Sequence, residues 1–212
     1  AIDQNGEIIT NQRDVNAKEL PDTDPRKGEK LYLIGNNKTG MQDKTGEGVD
    51  YFFGMELSAS FTQTPNGLDN WGHDIIFEFT GDDDFWLYVD DELVLDLGGV
   101  RSALAGTVNF RTGQIYNGAK LSIWKGSSYQ YTNNYTLREI FETNYRQRNP
   151  KATDEQVTEF MRQYFNDGES IFKDYSSHTM KMFYMERGAG ASNLKMRFNL
   201  ASVRPGTVQL SK

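Results

Sequence analysis

The chain contains no cysteine among its 212 residues. That excludes a disulfide framework and every thiolate metal site. Histidine is scarce as well: His73 and His178 are the only two, which argues against a catalytic zinc centre. No apolar run approaches the roughly 18 to 20 residues of a membrane span, so no membrane insertion is expected. Basic residues are outnumbered, 23 Lys plus Arg against 30 Asp plus Glu, for a net charge of −7. No basic cluster is dense enough to track a phosphate backbone, and nucleic acid is excluded as a partner. Oxygen ligands and hard cations are what remain. No stretch of the sequence has the pattern of a secretory signal peptide, and a chain beginning at Ala1 is expected to be a mature piece or a fragment. The glycosylation sequons Asn37-Lys38-Thr39 and Asn134-Tyr135-Thr136 are short enough to arise by chance.

Residues 1–50 are polar, with one short apolar stretch at Leu31-Tyr32-Leu33-Ile34, and read as an N-terminal arm. Beyond Tyr51 the pattern has a period of two. Met55, Leu57, Ala59 and Phe61 share one strand face. Ile75, Phe77 and Phe79 share another, followed by Phe85, Leu87 and Val89, then Leu93, Leu95 and Leu97. Asp90-Asp91-Glu92 predicts a tight hairpin turn. Residues 118–175 change register. Thr136 with Glu139 and Thr153 with Gln156 form two capping boxes, the second ahead of a helical stripe at Val157, Phe160, Met161, Tyr164 and Phe165. Alternation returns at Met180, Met182 and Tyr184 and at Leu194, Met196, Phe198 and Leu200. The expected architecture is one mainly β module over 1–212, an antiparallel β-sandwich with core strands in 51–117 and 176–212 and an appended helical insertion at 118–175.

The densest chemical signal is Gly81-Asp82-Asp83-Asp84-Phe85-Trp86, three consecutive carboxylates at a strand entrance. Like charges so placed are costly unless water or a cation neutralises them. An EF-hand does not fit, because Trp86 and Leu87 occupy the fifth and sixth positions counted from Asp82, where a ligand and a glycine belong. Taken alone, the run is also consistent with a solvated turn, and Glu186 beside Arg187 with a surface ion pair. Trp71, Trp86 and Trp124 are candidate stacking surfaces, although burial is the commoner fate of aromatic rings.

Together these features resemble a known family. Asp83-Asp84-Phe85-Trp86-Leu87-Tyr88-Val89-Asp90 is followed by Leu95-Asp96-Leu97-Gly98-Gly99, then Thr179-Met180-Lys181-Met182-Phe183-Tyr184, then the Gly-rich segment after Glu186. This order resembles the PA14 domain and more closely its fibro-slime branch, as found in pilus and LPXTG-anchored surface adhesins of Gram-positive bacteria. It is distantly similar to the calcium-dependent yeast flocculins. The resemblance implies a Ca2+ site in which Asp83 and Asp84, joined by a cis peptide, act with Glu186 and the carbonyls of Gly188 and Gly190. Asp82 and Arg101 are additional candidates. Glu186 stands where those lectins carry Asn, and Arg101 where fibro-slime relatives usually carry His.

The function implied is a calcium-dependent adhesive module that recognises glycan, at the extracellular bacterial cell surface and within a larger multidomain protein. The alternatives are a calcium-stabilised structural tip or spacer, or a protein-binding adhesin. No enzymatic activity is expected. A glycosidase built from Asp82 to Asp84, Asp96 and Glu186 ranks last, because a bound cation would occupy those carboxylates.

Overall fold

The computed structural model describes residues 53–99, 103–186 and 194–199, together with the backbone of 204–211. The 1–50 arm therefore lies outside the described residues. Among the described residues, ten strands form two five-stranded antiparallel sheets. In chain order they are β1 (Phe53–Thr62), β2 (Ile76–Gly81), β3 (Asp84–Val89), β4 (Glu92–Asp96), β5 (Leu104–Asn109), β6 (Gln114–Trp124), β7 (Tyr129–Thr136), β8 (Ser177–Glu186), β9 (Leu194–Phe198) and β10 (Arg204–Ser211). One sheet runs β10-β1-β8-β3-β4 and the other β7-β6-β5-β2-β9.

The expected alternation defines the faces that meet. Phe85, Leu87 and Val89 on β3 and Met180, Met182 and Tyr184 on β8 are buried, and they face Phe77 and Phe79 on β2 and Val108 on β5. Phe79 stacks on Phe85 with centroids 3.8 Å apart and rings 11° from parallel. The β3–β4 hairpin turns at Asp90 and Asp91, both with positive φ (50° and 64°). This is the two-residue geometry that matches strand twist, and Asp is among the few residues other than glycine that tolerate it.

The two capping boxes start the two helices, α1 (Leu137–Arg148) and α2 (Asp154–Met161). The helical segment is shorter than the expected 118–175, because residues 118–136 continue β6 and form β7. The tyrosines and β-branched residues of that stretch favour a pleated surface. Tyr164 and Phe165 extend the α2 stripe beyond the helix, and Phe165 forms a bridge with Phe172. Nor are the helices appended: Leu137, Ile140, Phe141, Val157 and Met161 are buried in the same core cluster as the strands. Their apolar stripes need a partner surface, and the sheet supplies it.

Candidate functional site

His178 and Glu186 stand near opposite ends of β8, eight residues and about 27 Å apart along the strand. Each end of the sandwich gathers polar side chains.

At the acidic end, Asp84 pairs with Met185 across the β3–β8 ladder. Asp83 lies in the bend just before β3, and Glu186 is the last residue of β8, paired with Phe53 of β1. Both are buried, with 6% and 2% of their surface exposed, and Asp84 is at 4%. Asp82 is half-buried in the bend before β3. The Tyr184 hydroxyl donates to Glu186 Oε2 at 2.6 Å. Asp84 has the alternation of Trp86, away from the Phe85 side, and its Oδ1 accepts the Gly99 amide. Asp96 Oδ1 accepts the Gly98 amide at 3.0 Å. A Cβ at Gly98 would lie 3.2 Å from the Trp86 indole, and Gly99 has φ 115°, which a glycine adopts without strain.

This geometry departs from the expected ligand set. No cis peptide occurs among the described residues, so the Asp83–Asp84 bond is trans. Among the described residues no three acidic or histidine side chains converge as a metal site. Gly188, Gly190 and Arg101 lie outside the described residues. Asp83, Asp84 and Glu186 do come to the same strand ends, but Asp84 is turned to the loop that follows β4.

The opposite end carries side chains that the sequence did not single out as a site. Ser176 Oγ is 2.6 Å from His178 Nε2, and His178 Nδ1 is 2.5 Å from Asp90 Oδ2. The other oxygen of Asp90 accepts the Thr179 amide at 2.8 Å. The imidazole stacks on Phe172, centroids 3.9 Å apart. A cavity of about 410 Å3 opens here, with Ser176, His178, Asp90, Gln163 and Tyr164 in its lining. Burial, and then the carboxylates of Asp90 and Glu92, push the Tyr164 hydroxyl's pKa up. The line of three was invisible in the sequence because Asp90 and His178 are 88 positions apart and meet only through the β3–β8 pairing.

The same end bears the β1–β2 connection. There Asp69 Oδ1 accepts the amides of Trp71 at 2.9 Å and His73 at 2.8 Å, and Asn199 donates to Asp69 Oδ2 at 3.2 Å. A bridge between Leu68 and Asp74 closes the loop. Trp71 is thereby held on a braced tip with 82% of its surface exposed. Of the other two tryptophans, Trp86 is half-buried against Gly98, and Trp124, also half-buried, lies beneath the Arg146 guanidinium, 4.8 Å from the ring centroid.

Curated proteins similar to this chain come from the slime mould Dictyostelium discoideum. Protein psiP is 31% identical over 113 residues, which is 53% of this chain and 13% of psiP. Protein psiC is 32% identical over 110 residues, 51% of this chain and 18% of psiC. Protein psiM is 38% identical over 69 residues, 32% of this chain and 9% of psiM. The matched stretch is thus a small part of each of these longer relatives. No family model matches the chain, and no solved structure matches it.

These relatives overturn the assignment to bacterial PA14 or fibro-slime adhesins. The calcium-dependent, glycan-recognising function and the Gram-positive pilus context fall with it. The residues that suggested the assignment have local folding roles: Asp84 and Asp96 capture the amides of Gly99 and Gly98, and Gly98 leaves room for Trp86.

Proposed function

We propose that this chain is one module of a longer protein and that it meets a partner protein through the end of the sandwich bearing Trp71. The observation that carries this reading is an indole left 82% exposed on a loop whose backbone is fixed by Asp69. Large aromatic side chains dominate the energetics of interface centres, and a loop already fixed in place avoids the entropy of ordering. The small share of psiP and psiC that the chain matches supports the modular part. Placing a photo-crosslinking phenylalanine analogue at position 71, or at Tyr129 as a control, in the full-length protein within its source cells tests the proposal. A discrete crosslinked product from position 71 and none from position 129 is the expected result. Indistinguishable patterns from the two positions would refute it.

The cation is a separate proposal. An all-oxygen donor set suits calcium, and Asp83 and Glu186 are buried carboxylates at the neighbouring ends of β3 and β8. Calorimetric titration of calcium into the chelator-treated chain tests this directly, and the absence of binding heat removes calcium from the account.

A further inference from the structure

Independently of the Trp71 loop, we propose that Ser176, His178 and Asp90 form a nucleophile, base and positioning acid that hydrolyse small esters in the adjoining cavity. The geometry is a continuous line, with Oγ to Nε2 at 2.6 Å and Nδ1 to Oδ2 at 2.5 Å. An ionised carboxylate can only accept, so Asp90 places the imidazole proton on Nδ1 and leaves Nε2 facing the serine as a base. Asp90 is itself fixed by two backbone bonds with Thr179, its carboxylate accepting from Thr179 N and its own amide donating to Thr179 O, each at 2.8 Å. The rings of Phe172 and Phe61 pack against the imidazole, which holds it in the orientation that the line requires.

Ser176 is equally constrained. Its amide donates to Lys173 O at 3.1 Å and its carbonyl accepts from Gln63 N at 2.9 Å. It follows Tyr175, whose φ of 62° is a strained value for a bulky residue. The serine hydroxyl proton has two acceptors at 2.6 Å, Lys173 O and His178 Nε2. With the imidazole neutral, Nε2 competes for it.

Strand alternation supplies the remaining requirement. Thr179 N–H points to the Asp90 side of β8, so Ser177 N–H lies on that same edge, past the point where β3 turns away at Asp90. It can donate to the oxyanion that forms on a substrate held at Ser176. Gln163 on the cavity wall offers a second amide donor.

Ser176 Oγ attacks the ester carbonyl carbon and its proton passes to His178 Nε2. The ester C–O bond breaks, and the alcohol leaves with that proton. Water then attacks the acyl-serine, giving one proton through Nε2 back to Oγ, and the carboxylic acid is released. One water is consumed and no other reactant is needed. The cavity's size suits a short acyl group, and the carboxylates of Asp90 and Asp91 in its lining favour a neutral or cationic alcohol over an anionic one.

The test is a fluorophosphonate probe on the full chain, read by intact mass and peptide mapping. One adduct is expected, on Ser176, formed with loss of fluoride and absent from Ser176→Ala. Asp90→Asn is expected to slow labelling about a hundredfold while its thermal transition still shows a folded chain. Hydrolysis of p-nitrophenyl acetate should follow the same order. Mapping the wild-type adduct requires no variant. No adduct on the folded chain, an adduct on another residue, or unchanged labelling in Asp90→Asn would each overturn the proposal and leave the line as a bond tying the β3–β4 turn to β8.

Discussion

Arg148, the last residue of α1, grips Glu92, the first residue of β4, through both terminal guanidinium nitrogens, with Nη1 to Oε2 at 2.9 Å and Nη2 to Oε1 at 2.5 Å. The pair joins the helical segment to the sheet across 56 positions. Hydrogen bonding to Glu92, followed by opposing burial, sets the balance that raises the Arg148 pKa. Glu92 is buried whereas Arg148 is half exposed, with side chains 5% and 52% accessible.

Removing the cation therefore strands a buried carboxylate. Arg148→Ala should destabilise the chain by about 2 kcal/mol, less than the roughly 3–5 of a fully buried pair because water already screens the arginine. Arg148→Lys should recover only part of the loss, since a single ammonium cannot reproduce the fork. Urea unfolding of the three chains measures this. Equal midpoints for wild type and Arg148→Ala would show that the pair contributes nothing.

Helix removal is the larger test of the same connection. Phe141 is fully buried and meets Phe165 and Phe172 edge to face, with centroids 5.3 and 5.6 Å away. A chain with residues 137–161 replaced by a short polar linker should lose cooperative unfolding in calorimetry, and Phe141→Ala alone should cost about 3–5 kcal/mol. A shortened chain that retains a sharp transition would restore the view of the helices as an appendage.

The sandwich class was legible because burial on one face of a strand imposes a period of two, which β8 obeys along its whole length and β3 obeys from Phe85 to Val89. The helix starts were legible because Thr136 and Thr153 cap locally, within three residues. What escaped was non-local. Nothing near Phe141 announces that its ring lies on Phe172 and not in solvent, and the spacing of Asp90 and His178 has no periodicity. The acidic run was visible, but its meaning was not. Whether Asp84 faces a cation or the Gly99 amide depends on where the chain returns after β4.

The Asp84 and Gly98 contacts make a distinct prediction. Asp84→Ala removes a charged acceptor from the Gly99 amide, a loss of about 1.5–3 kcal/mol for a bond to an ionised group. Gly98→Ala should be milder, because the Trp86 ring 3.2 Å away can shift by a few tenths of an ångström. Gly113→Ala should exceed both: it has φ 69°, and its Cβ would stand 2.1 Å from the Ser170 carbonyl oxygen, a backbone atom. Thermal transitions should fall progressively from Gly98→Ala through Asp84→Ala to Gly113→Ala, and a Gly113→Ala chain as stable as Gly98→Ala would contradict the packing described here.

Acid should reveal the exposed carboxylates that the fold holds ionised. Asp74 accepts from Arg111 Nη1 at 2.8 Å and from Asn109 Nδ2 at 2.9 Å, and the Arg111 bond, then that from Asn109, hold its carboxyl below the usual range. A depressed folded value means that its contribution is present above the unfolded pKa, near pH 4, and disappears as pH falls through the lower folded value. The stability gap between wild type and Asp74→Asn should thus be open at pH 6 and narrow steadily below about pH 4. Asp167, held down in the same way by Arg162, should leave the variant with a remaining slope of the same sign. Urea midpoints measured from pH 6 to pH 2.5 read both effects. A gap that stays constant or widens towards acid would show that the Arg111 contact does not stabilise the ionised form of Asp74.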